Sequence, residues 1–260
     1  MKLTQVRNAT LIVEYAGKKF LIDPFFAEKD KYTALPESAN QDRTTPWVEL
    51  PLPIEEIIKV DAVILTHLHL DHFDEAAIEA LPKDIQIFAQ DEKEAETVRS
   101  YGFNHVAHLK AEGSSFEDVK LIKTDGIHGF GDRPVQWFHD NDMSEIVSGV
   151  VFSHADEQTL YIAGDTVWSD HVQKAIDSHQ PEVIVLNAGD AQIDDGISII
   201  MGKEDVYKVH QAAPEATLVT SHMEAVNHGT LPRKELRNFL REKGISSKVL
   251  VPEDGESNTF

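Results

Sequence analysis

Four side chains able to bind a metal fall within six consecutive residues of the segment Thr66-His67-Leu68-His69-Leu70-Asp71-His72. His67 and His69 are two apart, so in an extended chain both imidazoles leave the same side, with Leu68 and Leu70 expected to face apolar packing on the other. Asp71 and His72 follow where the chain turns towards a helix. Imidazole and carboxylate donors together suit zinc, and also manganese, iron or nickel. An alternative is a histidine cluster satisfied on a surface loop. The preceding run DAVILT (61–66) argues against it, because an apolar stretch without polar alternation reads as a strand covered on both faces.

Other chemistries find little support. The chain has no cysteine, which removes disulfides, thiolate ligands and thiol nucleophiles. There is no G-x-S-x-G elbow for a serine nucleophile. No G-x-x-x-x-G-K-[ST] loop or G-x-G-x-x-G fingerprint points to a nucleotide cofactor. Lys plus Arg total 24 against 45 Asp plus Glu, a formal net charge of −21. Such a surface repels phosphate backbones, so nucleic acid is not an expected partner and a small molecule is. No stretch approaches 18 continuous apolar residues, and the first residues do not read as a signal peptide, so no membrane association is expected. A soluble cytoplasmic protein is the expectation, with a homo-oligomer left open.

The elements that must position the histidines follow a repeating rhythm. LTQV, ATLIVEY and KKFLID read as strands that stop at Asp23-Pro24. Residues 25–53 carry four prolines and no period, and read as a long loop. After the histidine cluster come a helix at 74–80, a strand at 85–88 and a helix at 91–101. FEDVKLIKT reads as one strand, and GIHGFGDRPVQWFHDND as a structured loop. SGVVFSH and TLYIAGD are strands; 168–178 is a helix; EVIVLNAG, KEDVYKVHQAA, ATLVTSH and RKELRNFLREKG alternate strand and helix. Strands first, then βα units, twice over, predict an α/β (α+β) chain of one domain over residues 1–260, with two sheets packed face to face and helices outside. The metal-ligand candidates stand at strand carboxyl ends, where such architectures collect function.

The T-H-L-H-L-D-H segment resembles the H-x-H-x-D-H motif of the metallo-β-lactamase superfamily, and the resemblance covers essentially the whole chain. It implies a four-layer αββα sandwich of two mixed sheets with the site at one edge of both. It also implies further ligands from later loops. His128, in TDGIHG, matches the family's third histidine; His105 and His108 come too early, and His139 and His154 lack the glycine context. Asp165, in YIAGDT, matches the bridging aspartate, although an Asp there is also a plausible helix cap. His222 ends the strand ATLVTSH and matches the last histidine; His228, six residues later, is the alternative, and the two could exchange roles. The implied set is His67, His69, Asp71, His72, His128, Asp165 and His222 around two divalent cations, zinc first and manganese second. Asp71 and His228 are the candidates for the chemistry itself. Asp23 would orient a ligand from behind, or be a plain Asp-Pro turn.

The implied activity is hydrolysis by water that the cations ionise near neutral pH, directed at an ester-type bond, a lactone or a phosphodiester, of a small metabolite that could be anionic. LIDPFF, VLNAGD and SHMEAVNHGTL are similar to the branch containing ascorbate-phosphate lactonases. A glyoxalase II-type thioester hydrolase and a non-catalytic metal-binding regulator of the same fold are the alternatives. Phe130, Trp137 and Phe138 could line a pocket beside His128 or simply anchor the loop, and Arg133 and Lys203 could meet an anionic group.

Overall fold

The computed structural model describes residues 1–194 and 196–260. The chain opens with three antiparallel strands, β1 (Lys2–Arg7), β2 (Thr10–Tyr15) and β3 (Lys18–Ile22). Helix α1 (Ile54–Ile57) then leads into β4 (Ala62–Ile64), and α2 (Glu75–Ala80) into β5 (Gln86–Ala89). Helix α3 (Glu92–Ser100) precedes β6 (His105–His108). Strands β3 to β6 run parallel to one another, β4, β5 and β6 each reached by a crossover.

The second half repeats this plan. β7 (Ser114–Phe116), β8 (Val119–Asp125), β9 (Ser148–Ser153) and β10 (Leu160–Ile162) are antiparallel, with α4 (Asp132–Asp140) between β8 and β9. Helix α5 (Asp170–His179) crosses to β11 (Val183–Asn187), and β12 (Gln192–Ile193) and β13 (Ile197–Ser198) form a small hairpin. Helix α6 (Lys203–Ala212), β14 (Thr217–Ser221), α7 (Arg233–Glu242) and β15 (Val249–Leu250) complete the parallel run. The final strand β16 (Ser257–Thr259) returns to the first sheet and pairs with β1, Leu3 opposite Asn258. The sheet orders are β16-β1-β2-β3-β4-β5-β6 and β15-β14-β11-β10-β9-β8-β7.

The two sheets face each other across one apolar layer. Val13, Phe20 and Ile64 of the first meet Val150, Phe152 and Val185 of the second, and the Phe20 and Phe152 rings sit edge to face 5.1 Å apart. The opposite faces carry helices. Val63 and Ile87 pack towards Ala77 and Val98, and Ile184 and Leu218 towards Val206 and Leu236. Neighbouring residues of one strand thus enter different layers, both dry, which is why β4 and β11 read as unbroken apolar runs. This is the αββα sandwich. Asp74 and Asp91 accept the Ala77 and Glu94 amides and start α2 and α3.

Four local expectations are corrected. The stretch 116–124 is not one strand: Glu117, at φ 52, turns the chain between β7 and β8. The supposed loop around Trp137 contains α4, because Pro134, Trp137 and Phe138 fall on one helical face and are all buried. Leu70 does not enter apolar packing; it is 44% exposed, while Leu68 does pack beneath the sheet. Residues 25–53 form an anchored strap. The buried Arg7 guanidinium donates to the Phe25, Ala27 and Val48 carbonyls, and Asp74 accepts the Phe26 and Ala27 amides. Among the described residues no helix is long and apolar enough to cross a membrane.

Candidate metal centre

His67 leaves the chain three residues beyond β4, and its ring centroid lies 4.3 Å from that of His69 and 4.0 Å from that of His72. The turn that follows is closed by the His72 and Phe73 amides, which both donate to the His69 carbonyl. Asp165 comes from the end of β10, His128 from the loop after β8, and His222 from the end of β14. Gly164 precedes Asp165 at φ 70, and a β-carbon there would strike the Ser148 carbonyl. The described residues form three groups whose ligand atoms lie within 4.8 Å of one another: His67, His69 and His128; His67, His72 and Asp165; Asp71, His72 and His222. All seven expected ligands converge.

One oxygen joins these groups. Asp165 Oδ2 is 3.1 Å from His72 Nε2, 3.6 Å from His222 Nε2 and 3.9 Å from His128 Nε2. Its other oxygen accepts from Asn187 Nδ2 at 2.7 Å, which fixes the carboxylate plane. Across the cluster, Asp71 Oδ2 lies 3.1 Å from His222 Nε2.

The outer nitrogens of four of the five imidazoles are spoken for, while His222 Nδ1 is buried without a partner. His128 Nδ1 donates to the Ile199 carbonyl at 2.8 Å and His69 Nε2 to the Ser144 carbonyl at 2.8 Å. His72 Nδ1 donates to Asp23 Oδ2 at 2.9 Å. His67 Nδ1 faces Thr66 Oγ1 at 3.2 Å, and that hydroxyl in turn donates to Asp23. Each such bond leaves a lone pair on the inward nitrogen, the arrangement a metal requires of neutral histidine. His67 Nε2 is buried with no partner at all. A divalent cation fits this donor set, and without one that nitrogen is a costly orphan.

The electrostatics agree. Burial lowers His67 well below its usual value, reinforced by His72 and His69, and lowers His128 to about 3. Burial alone would raise Asp71 and Asp165, but His72 and His222 beside them hold both carboxyls well below the usual range. Burial would likewise lower His72, yet Asp165, Asp23 and Asp71 raise it well above its ordinary value. Carboxylates are therefore ionised and ready to bind, and a cation entering this cluster must displace protons from His72 and His222, the two imidazoles that the carboxylates raise.

His69, Asp71, His128 and Asp165 of the cluster form the floor of a small cavity of about 50 Å³. Tyr32, Leu35, Trp137, Phe138, Met143 and Ile199 make its walls, and Phe138 stacks on His128 with ring centroids 4.5 Å apart. His228 lines the cavity outside the three ligand groups, and burial lowers it to about 4. Its Nδ1 is buried without a partner. His222 is thus the residue placed among the clustered donor atoms, and His228 stands beside them.

Other expectations divide. Asp23 is no mere turn, because it accepts from Thr66 N and Oγ1 as well as His72. Trp137 and Phe138 line the cavity, whereas Phe130 is 60% exposed. Arg133 is spent on Asp194 and Glu37, and Lys203 on Glu235, so neither is positioned to meet a substrate anion. Among the described residues His105, His108, His139 and His154 join no ligand group. Asn8 and Asn187 were not foreseen. Each reads in sequence as an ordinary polar residue beside a strand, and no local spacing marks it.

A family described as the Beta-lactamase superfamily domain matches residues 18–223, which hold six of the seven converging ligands' loops and His222 itself. The chain belongs to the metallo-β-lactamase superfamily. It is 53% identical to the UPF0173 protein YddR of Bacillus subtilis (strain 168) over 261 residues, covering 100% of both chains. The solved structure of an isothiocyanate hydrolase from Delia radicum gut bacteria is 49% identical, with a TM-score of 0.94 over 100% of this chain and 99% of that one. A possible metal-dependent hydrolase from Veillonella parvula DSM 2008 is 39% identical, also with a TM-score of 0.94, over 100% of this chain and 99% of that one. The chain is accordingly a metal-dependent hydrolase of this superfamily.

Proposed function

We propose that the protein holds two divalent cations, zinc first and manganese second, and hydrolyses a small, uncharged, largely apolar substrate at an electrophilic carbon. One observation carries this reading: the clustered donors floor a cavity whose described walls are mainly apolar or aromatic, with Thr33, Thr45 and His228 the polar members and no lysine or arginine among them. The first site would be His67, His69, His128 and Asp165, and the second Asp71, His72, His222 and the shared Asp165. Bound there, such cations polarise an electrophile and lower the pKa of water towards ~7.

The chain's own side chains supply the rest. Phe138, Trp137 and Leu35 exclude water from the apolar part of the substrate. Asp71 and Asp165, ionised in the free protein, are ready to hold a cation once it replaces the protons of His72 and His222. His228, neutral and with an unpartnered nitrogen, is placed to carry a proton to the departing group.

Isothiocyanates are the first class to test, since a relative 49% identical bears that activity in its name. An isothiocyanate is uncharged, and its central carbon takes water as a carbonyl carbon does. Oxygen bonds to that carbon and nitrogen gains one proton of the water; the second proton then passes to nitrogen as the C–N bond breaks, giving an amine and carbonyl sulfide. The same walls admit an uncharged lactone. They offer nothing to a phosphodiester beyond the cations, and nothing to the charged carrier of a glyoxalase-type thioester. A complete donor set favours a catalyst over a non-catalytic regulator. The relatives named above do not carry the lactonase branch in their names, so it stays the second reading.

The test is turnover of metal-loaded protein with butyl and benzyl isothiocyanate, a small γ-lactone, a nitrophenyl phosphodiester and a thioester. Uncharged substrates should dominate in kcat/KM. A preference for the phosphodiester would overturn the reading.

A further inference from the structure

The turn between β1 and β2 carries an asparagine that touches both halves of the proposed second cation site. Asn8 is fully buried, and its φ of 54 places it in the left-handed region. Its carboxamide nitrogen lies 3.0 Å from the Asp71 carbonyl, 3.2 Å from Asp71 Oδ2 and 3.3 Å from His222 Nε2. Asp71 Oδ2 and His222 Nε2 are themselves 3.1 Å apart, so the three atoms form a near-equilateral triangle. The orientation of the amide is fixed by charge: turned over, its oxygen would face both oxygens of Asp71.

The main chain of the same residue holds the other partner. Asn8 O accepts from the His222 amide at 2.8 Å and from Ser221 Oγ at 2.9 Å. Gln5 Nε2 donates to that oxygen as well, at 2.8 Å, and Gln5 Oε1 receives Ser221 Oγ. His222 is in the left-handed region too, at φ 56, a conformation uncommon for histidine that needs such support. Asn8 thus spans the two sheets, gripping the backbone of one ligand and the carboxylate of another. Its hydrogen bonds reach none of His67, His69 and His128.

We infer that Asn8 is a positioning residue for the second cation alone, its amide fixing which lone pairs of Asp71 remain for the metal. The inference rests on the two-cation reading. Partners of this kind, one bond behind the ligands, typically alter metal affinity by ~10–100-fold.

Cobalt(II) titration of the metal-free full chain, followed by visible absorption and by chelator competition, measures the two equivalents separately. Asn8→Gly is the variant of choice, because glycine accepts the positive φ and only the side chain is lost. The second equivalent should bind ~10–100-fold more weakly than in the wild type, with the first unchanged. A purely structural role would weaken both equivalents alike, leave their ratio constant and overturn the inference. A second measurement needs no variant. In 15N-labelled wild-type protein titrated with zinc, the Asn8 side-chain NH2 signals should move at the second equivalent and stay still at the first. Signals that ignore the second equivalent overturn the assignment. Wild-type protein that takes a single equivalent overturns the two-cation reading itself; two equivalents with an unchanged ratio in Asn8→Gly overturn the role of Asn8 alone.

Discussion

Asp23 Oδ2 stands 2.9 Å from His72 Nδ1, across 49 residues of chain, and the same carboxylate receives the amide and hydroxyl of Thr66. One side chain at the end of β3 therefore fixes both the entry to the histidine turn and the ring that closes it. Asp23→Asn, which keeps the shape and tolerates the left-handed φ of 45, removes an acceptor from His72. Metal affinity should fall ~10–100-fold in chelator competition. Wild-type affinity would mean that His72 needs no support from behind.

His128→Ala takes one donor from the group it shares with His67 and His69. Metal analysis of purified protein should drop from about two ions per chain to about one, as expected when a closed ligand set loses a member. Unchanged content would remove His128 from the ligands.

Asp71 lies at the edge of the cavity and is ionised in the free protein. Asp71→Ala should cut kcat by ~10²–10⁴-fold, the range of a lost catalytic proton or ligand group, with the circular dichroism spectrum retained. Equal turnover in variant and wild type would exclude Asp71 from the chemistry.

Glu94 shows how burial couples to pH away from the cations. Its carboxylate accepts from Gln90 and from the Leu68 amide between two ligands, while Oε2 is buried without a partner. Burial raises Glu94 from 4.5 to about 7. A carboxyl raised on folding favours the native state below its unfolded pKa, and that contribution is lost as pH climbs from 4.5 through about 7. Glu94→Gln should abolish this loss, gaining on the order of 1–3 kcal/mol over wild type at pH 8 and little at pH 4. The difference in Tm between the two proteins across that range is the measurement, and a difference that does not vary with pH would refute it.

Asn227 clasps the strap that roofs the cavity. It is fully buried; its side chain accepts from the Leu35 amide and Thr45 Oγ1 and donates to Ser38 Oγ and the Ala39 carbonyl. Asn227→Ala should speed amide hydrogen exchange in residues 33–45 by ~10-fold or more, since unpaired buried groups cost ~1–3 kcal/mol each. Metal content should hold, because the side-chain partners of Asn227 lie in the strap and not among the clustered donors. Exchange at the wild-type rate would show that Arg7 and Asp74 anchor the strap unaided.

The sequence by itself determined four candidate donors, because the H-x-H-x-D-H spacing packs His67, His69, Asp71 and His72 into six residues. It also determined the layers: unbroken apolar strands such as β4 and β11 can exist only where both faces are dry. Tertiary structure alone decided which of His222 and His228 joins the clustered donor atoms, since both follow β14 and only packing against the β1–β2 turn aims His222 inward. It likewise decided the helix at α4, the anchored strap, and the roles of Asn8 and Asn187. A carboxamide acquires such a role from what long-range folding places opposite it, here residues 63 and 22 positions away along the chain, and no local spacing records that distance.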